Sequence, residues 1–269
     1  MTQPLITSKN NPLIKHARSL KSRKSRNKTG QFLIEGIHQV GMAVEADFPL
    51  SAVIYSPEYL NSSFAKALIG KLMDSSIDLV EVSGDSFNSF ASREHPQGLA
   101  AIGNQAYSNL QEMHQNPGIW IALEEIQDPG NLGSIMRTMD ACGAGGVILI
   151  GNTVDAYHPT CVRSSTGAIF TTKIIKSELN DFQNVVDLNN IPVVGTVCDS
   201  GNIFYESNYK DHMILAMGSE QKGLSQEFID LCDDLVTIPM TGRVDSLNLA
   251  IATSLVLFDI FTKKNKTHD

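Results

Sequence analysis

At 269 residues the chain has room for one large domain or two small ones. Its 42% hydrophobic and 19% charged residues suit a globular, soluble protein, and no apolar run of about 18 residues is present to span a membrane. The net charge of −8 argues at first sight against a nucleic-acid partner.

The charge is unevenly spread, and the first element shows it. Residues 1–34 hold Lys9, Lys15, Arg18, Lys21, Arg23, Lys24, Arg26 and Lys28, and no acid precedes Glu35. The remaining 13 basic residues face 29 acids, a balance of −16. Such an arm reads either as a phosphate-binding element or as a solvated helix face. Leu13 to Lys24 is predicted to be helical, with Leu13, Ile14, Ala17 and Leu20 on one face, and Asn27-Lys28-Thr29-Gly30 is a turn signal. Phe32–Ile34 reads as a strand, Gly36–Ala46 as a helix and Ala52–Tyr55 as a strand. A helix is expected from Pro57 to about Met73, with further strands at Leu79–Val82 and Leu99–Ile102. This alternation predicts a first α/β domain over 1–103, followed by a polar linker over 104–117 that ends in Asn116-Pro117-Gly118.

The second domain is expected over 118–269. Apolar runs at Ile119–Leu123, Val147–Ile150, Val193–Val197, Met213–Met217 and Leu235–Ile238 suit buried parallel strands. Helices are predicted at Leu132–Cys142, Asp181–Leu188, Ser225–Cys232 and Leu247–Lys263. The opening Met1-Thr2-Gln3-Pro4-Leu5 has no signal-like apolar stretch. Cys142, Cys161, Cys198 and Cys232 lie far apart with no C-x-x-C pair, so neither a metal site nor disulfides are expected. These thiols read as buried structural ones, and a reducing cytoplasm is the simplest setting.

Three segments sit where a strand ends. In Asp128-Pro129-Gly130-Asn131-Leu132-Gly133-Ser134-Ile135-Met136-Arg137-Thr138, Asn131 is a good N-cap and Arg137 lies near a helix N-terminus, against the dipole. That placement points to an anionic partner or to a plain surface arginine. Residues six apart do not stack on a regular helix, so a loop would have to bring Asn131 and Arg137 together. In Gly218-Ser219-Glu220-Gln221-Lys222-Gly223-Leu224-Ser225 two glycines either let a ligand approach the backbone or form an ordinary turn, and Ser225 suits a helix cap. In Ile238-Pro239-Met240 through Ser246-Leu247-Asn248, Ser246 or Asp245 is expected to cap the last helix, leaving Asn248 to reach outward. Gly143-Ala144-Gly145-Gly146 precedes a strand and Ile148 occupies the third glycine position, so the dinucleotide fingerprint is absent. Walker A, H-E-x-x-H and G-x-S-x-G patterns are also absent, and the seven histidines are scattered.

Taken together, the three segments resemble the three motifs of the SpoU/TrmH family of RNA ribose 2′-O-methyltransferases, in order and spacing over about residues 118–263. Arg163-Ser164-Ser165-Thr166-Gly167-Ala168 resembles the family's middle segment. The stretch from Ile6 to Lys15, Phe32-Leu33-Ile34-Glu35-Gly36 and His95-Pro96-Gln97-Gly98-Leu99-Ala100 resemble its N-terminal substrate-binding domain. The departures are Gly130, at a variable position, and Gln221, where a small residue is usual. The resemblance implies a C-terminal parallel-sheet domain with a deep trefoil knot, a smaller N-terminal α/β RNA-binding domain, and a homodimer with a shared site. It implies S-adenosylmethionine held by Thr196, Gly218, Ile238, Met240 and Leu247, and catalysis by Arg137, Asn131, Glu220, Ser246 and Asn248, with Glu220 on Arg137 or on ribose. It further implies structured RNA, ribosomal in preference to transfer RNA, gripped by Lys9, Lys15, Arg18, Lys21, Arg23, Lys24 and Arg26. The alternatives are a tRNA ribose methyltransferase and a non-catalytic RNA-binding assembly protein. Deprotonating a guanidinium near neutral pH costs roughly 8 kcal/mol. Arg137 is therefore read as a phosphate clamp and hydroxyl orienter.

Overall fold

The computed structural model describes residues 4–73 and 75–266; Met1–Gln3, with which the signal-sequence reading begins, lie outside them. Two compact units are present, one formed by residues up to Gln105 with Tyr157–Thr171, the other by Ala106–Ala156 with the residues from Thr172 onward. The first opens with α1 (Pro12–Ser19), started by Pro12 in its first turn and by the Asn11 side chain accepting from Leu13 N. The expected single helix over Leu13–Lys24 is instead two, because Ser22 caps a new helix, α2 (Arg23–Thr29), by accepting from Ser25 N. The predicted turn at 27–30 is the end of α2. The carbonyls freed at the break are satisfied by Arg26, whose guanidinium donates to Leu20 O at 2.8 Å and Lys21 O at 2.9 Å.

There follow β1 (Gln31–Glu35), α3 (Ile37–Glu45), β2 (Leu50–Tyr55), α4 (Ser63–Met73), β3 (Asp78–Glu81), α5 (Gly84–Asn88) and β4 (Leu99–Asn104). The sheet order is β1-β4-β2-β3, with β4 antiparallel to both neighbours and β2 parallel to β3. The helix expected from Pro57 begins only at Ser63, after turns that bond Tyr59 N and Leu60 N to Ser56 O and Pro57 O. Ile14, Leu20, Leu33, Ile54, Phe87 and Phe90 fill one face of this sheet.

The second unit begins with α6 (Gln111–Gln115) and β5 (Ile119–Glu124). The segment read as a linker is thus built into the fold, since Met113 is fully buried with Trp120 and Ser108 bridges to Ile175. Then come α7 (Pro129–Cys142), β6 (Gly146–Ile150) and α8 (Pro159–Ser164), the last belonging to the first unit. The chain continues through β7 (Lys173–Ser177), α9 (Leu179–Asn189), β8 (Val193–Thr196), β9 (Asn202–Ile203), β10 (Met213–Met217), α10 (Gln226–Ile229), β11 (Asp234–Thr237) and α11 (Leu249–Lys266). Sequence patterning missed β7 and β9, a strand flanked by lysines and a two-residue edge. The seven strands run in the order β7-β6-β5-β10-β8-β11-β9, and every pair is parallel. Their register sets Met217 beside Leu123 and Thr196 beside Val236, so the loops after β5, β8, β10 and β11 leave one common edge. No helix among the described residues is long and apolar enough to cross a membrane.

Candidate active site

The three strand-end segments meet at that edge. Asp128, not Asn131, caps α7: its Oδ1 accepts from Gly130 N and Asn131 N. Asn131 therefore sits inside the first turn with its side chain free to make longer-range bonds. Its Nδ2 donates to Glu220 Oε1 at 2.8 Å, and its Oδ1 accepts from Asn248 Nδ2 at 2.9 Å. Asn248 in turn accepts at Oδ1 from Ala250 N and Ile251 N, so it caps α11 in place of the expected Ser246 or Asp245. The amide orientations are dictated at both ends. A carboxylate only accepts, backbone N–H groups only donate, and one arrangement of the two amides satisfies both. The chain Glu220–Asn131–Asn248 ties the loop after β10 to α7 and to the start of α11. Thr138 and Ser254 bond at 2.8 Å further along the two helices.

Arg137 is exposed and, among the described residues, makes no hydrogen bond or ion pair. Within this chain Glu220 bonds Asn131 through Oε1 and makes no bond to Arg137, one of the two partners expected for it. Since α7 is a regular helix through both positions, Asn131 and Arg137 lie on different faces, and no loop brings them together within this chain.

A cavity of about 480 Å³ opens beside the Glu220–Asn131–Asn248 chain, lined among others by Thr196, Gly218, Ile238, Met240, Ser246 and Leu247. Thr196 Oγ1 donates to Ala216 O at 3.1 Å, fixing the end of β8 against β10. The loop after β10 closes on itself through Ser219 N donating to Gly223 O at 3.1 Å and Gly223 N donating to Ser219 O at 2.9 Å. A Cβ on Gly218 would fall on the backbone of Gly223 and Leu224. Gly218 is thus demanded by closure of the loop, the turn reading of the two left open by the sequence, and it also lines the cavity. Exposed Gln221 sits at the tip of this turn and leaves its closure intact.

Sequence reasoning passed over Glu124. Buried at the end of β5, it accepts from Ser225 N at 2.7 Å and Ser225 Oγ at 2.6 Å, while Ser225 Oγ accepts from Phe228 N to cap α10. This clamps the far end of the loop that lines the cavity. The signal was an acid ending an apolar strand run.

In the N-terminal arm, Lys9, Lys15, Lys21, Arg23 and Lys24 are exposed. Arg18 donates to Ser89 O, Ser89 Oγ and Lys9 O. Arg26 corrects the expectation of an RNA contact: it is 1% exposed and its guanidinium serves backbone carbonyls, so it cannot meet a phosphate. The four thiols differ as well, since Cys161 is buried, Cys142 and Cys232 are half-buried and Cys198 is exposed. Burial, then the charges of Asp233 and Glu124, push the Cys232 thiol up to about 12, which keeps it protonated and inert as a nucleophile. Among the described residues no group of three His, Cys, Asp or Glu side chains is placed to hold a metal ion.

Residues 118–258 match the SpoU rRNA methylase family, and residues 11–101 match an MRM3-like substrate binding domain. The chain is 27% identical to the 23S rRNA (guanosine(2553)-2′-O)-methyltransferase RlmP of Bacillus subtilis, over 95% of this chain and 98% of that protein. It is 29% identical to the 23S rRNA (uridine(2479)-2′-O)-methyltransferase of Streptomyces viridochromogenes, over 94% of this chain and 90% of that one. A solved AdoMet-bound rRNA methyltransferase from Sinorhizobium meliloti superposes with a TM-score of 0.87 at 33% identity, covering 97% of this chain and 98% of that one.

Proposed function

The chain belongs to the SpoU rRNA methylase family, and from that premise we propose that it transfers the methyl group of S-adenosylmethionine to a ribose 2′-hydroxyl of ribosomal RNA. The parallel C-terminal sheet is the knotted fold of that family. The observation that carries the reading is the convergence of Thr196, Gly218, Ile238, Met240 and Leu247 on one cavity beside the Glu220–Asn131–Asn248 chain.

The cavity fits the cofactor chemically. Leu224, Ile238 and Leu247 offer apolar walls for a flat adenine, and Lys222 and Asp245 offer opposite charges for a zwitterionic amino-acid end. When bound, S-adenosylmethionine supplies a methyl group already activated by its sulfonium. What the protein must add is position. Asn131, held from two sides, orients the ribose. Arg137, exposed and without a partner among the described residues, clamps an RNA phosphate through its planar fork and aims the 2′-hydroxyl. Ser246 shapes the turn after β11. The exposed lysines of the arm bind RNA phosphates away from the reaction.

The working unit is a homodimer. Ile251, Leu255 and Phe258 are 54%, 42% and 50% exposed and recur on one face of α11, an apolar stripe that suits a second copy of the chain. A second copy also supplies the arginine that this chain does not bring to its own Asn131. Leu255→Glu with Phe258→Glu should convert the protein to a monomer in analytical ultracentrifugation and abolish turnover. A dimer that survives both charges would place the interface elsewhere.

The decisive assay offers ribosomal and transfer RNA separately, with the modified nucleotide mapped. Labelled methyl groups are expected in rRNA, at a ribose 2′-oxygen. Transfer to tRNA alone would establish the runner-up substrate, and transfer to neither would leave an RNA-binding protein.

A further inference from the structure

Three stretches with no part in methyl transfer meet in the N-terminal unit. They are Leu33-Ile34-Glu35-Gly36 at the end of β1, His95-Pro96-Gln97-Gly98 before β4, and Arg163 at the end of α8. One backbone and one side-chain bond knit the ends of the first two: Gly36 N donates to Leu99 O at 2.9 Å, and Ile37 N donates to Gln97 Oε1 at 3.1 Å. Glu35 receives Ser92 N at 2.8 Å and Arg93 N at 3.2 Å, which fixes the loop that carries Arg93. The result is a small pocket of about 30 Å³ with Leu33, Pro159 and Val162 as apolar walls and Lys21, Glu35, Gln39, Ser92, Arg93 and Arg163 as polar ones.

Its chemistry is lopsided. Three cations face one acid, and that acid already accepts from two backbone N–H groups. Lys21 Nζ donates to Ala91 O at 2.9 Å, but neither Arg93 nor Arg163 has a side-chain hydrogen bond or ion pair among the described residues. Gln39 is only 7% exposed, yet its amide has no hydrogen-bond partner there either. Its amide lines the pocket and keeps contact with solvent, so it is open to a ligand there. The Oε1 atoms of Gln39 and Gln97 and an Nη of Arg93 converge, at 3.0, 3.0 and 3.7 Å from the point where a Gly36 side chain would begin. The unpaired amide and an unpaired guanidinium are therefore neighbours.

We propose that the mouth of this pocket is a surface subsite for the RNA backbone, with Arg93 and Arg163 on a phosphodiester and Gln39 on the adjoining 2′-hydroxyl. A guanidinium fork matches phosphate oxygens. An amide that both donates and accepts matches a 2′-hydroxyl, which does the same. Lys21 joins the subsite to the basic arm, and Glu35 is a positioning residue for Arg93. The inference rests on the RNA reading above and adds to it a device for telling RNA from DNA, outside the methyl-transfer site.

The test uses the full chain and a short single-stranded RNA oligomer, with a DNA oligomer of the same sequence, in fluorescence anisotropy across a salt series. Each lost phosphate contact lowers the log–log salt slope by about 0.7 for single strands. Arg93→Gln with Arg163→Gln should thus flatten the slope by about 0.7, since both guanidinium groups sit on one phosphodiester, and weaken RNA binding at low salt at least tenfold. Gln39→Met should erase the preference for RNA over DNA while leaving DNA binding unchanged. If that variant does not fold, Gln39→Asn, which retracts the amide, takes its place. Single-turnover methylation at saturating rRNA should stay within about twofold of wild type in the arginine variant. A folded double variant with wild-type slope and affinity, in a protein that does methylate rRNA, would refute the subsite alone. A wild type that transfers no methyl group, yet loses RNA affinity and slope on the double substitution, would refute the functional reading and leave the subsite standing.

Discussion

Arg137→Ala is expected to cut single-turnover methyl transfer by about a hundred- to a thousandfold, the usual loss when one positioned donor is removed from a reacting group. RNA affinity should fall only modestly, by the single phosphate contact proposed for the guanidinium. Arg137→Lys should recover little of the rate, since a point ammonium cannot reproduce a planar two-pronged grip. The protein should keep its thermal midpoint in both variants, because the side chain is exposed and bonded to nothing among the described residues. The same substitution tests the shared site. Mixing equal amounts of Arg137→Ala chains and chains that cannot bind cofactor should give mixed dimers with one intact site each. Random pairing makes half the dimers mixed, so activity should return to roughly a quarter of wild type. A mixture that stays inactive although mixed dimers form would show that Arg137 serves its own chain.

The second large effect is expected at Gly218. Even Gly218→Ala places a methyl group on the backbone of Gly223, so the loop that lines the cavity has to open. S-adenosylmethionine affinity should drop at least about a hundredfold, equivalent to roughly 2.7 kcal/mol. The sheet should survive, because β10 ends at Met217 and is held by β5 and β8 on either side. Gly223→Ala offers the contrast. Gly223 has a φ of +69° and nothing within 4 Å of its added carbon, so its cost is conformational, about 1–2 kcal/mol. That variant should lose affinity by roughly tenfold. Calorimetry on folded variants decides the matter, and equal losses at the two glycines would contradict the steric account of Gly218.

Much of this protein follows from local chemistry. Short apolar runs bounded by polar turns suit buried strands, and their alternation with helical stretches already predicts a parallel sheet whose ligand edge lies at the strand ends. Of the residues expected around the cofactor, Thr196, Gly218, Ile238 and Met240 sit within a few positions of those ends, and with Leu247 they line one cavity. Tertiary structure decided whatever depends on which groups are close in space. Arg26 looks like every other basic residue of the arm, and only the break between α1 and α2 turns it inward onto Leu20 and Lys21 carbonyls. Asn131 has the sequence character of a helix cap, yet Asp128 takes that role and frees it to bond Glu220 and Asn248, 89 and 117 residues away. Gly218 reads equally as space for a ligand or as a turn residue until Gly223 is seen to occupy the place of its side chain. Arg163, numbered within the second domain, packs with the first unit and completes its pocket. Hydrophobic periodicity reports how each segment meets the core. The partner of a given polar group is set by chain crossings far apart in sequence, to which periodicity is blind.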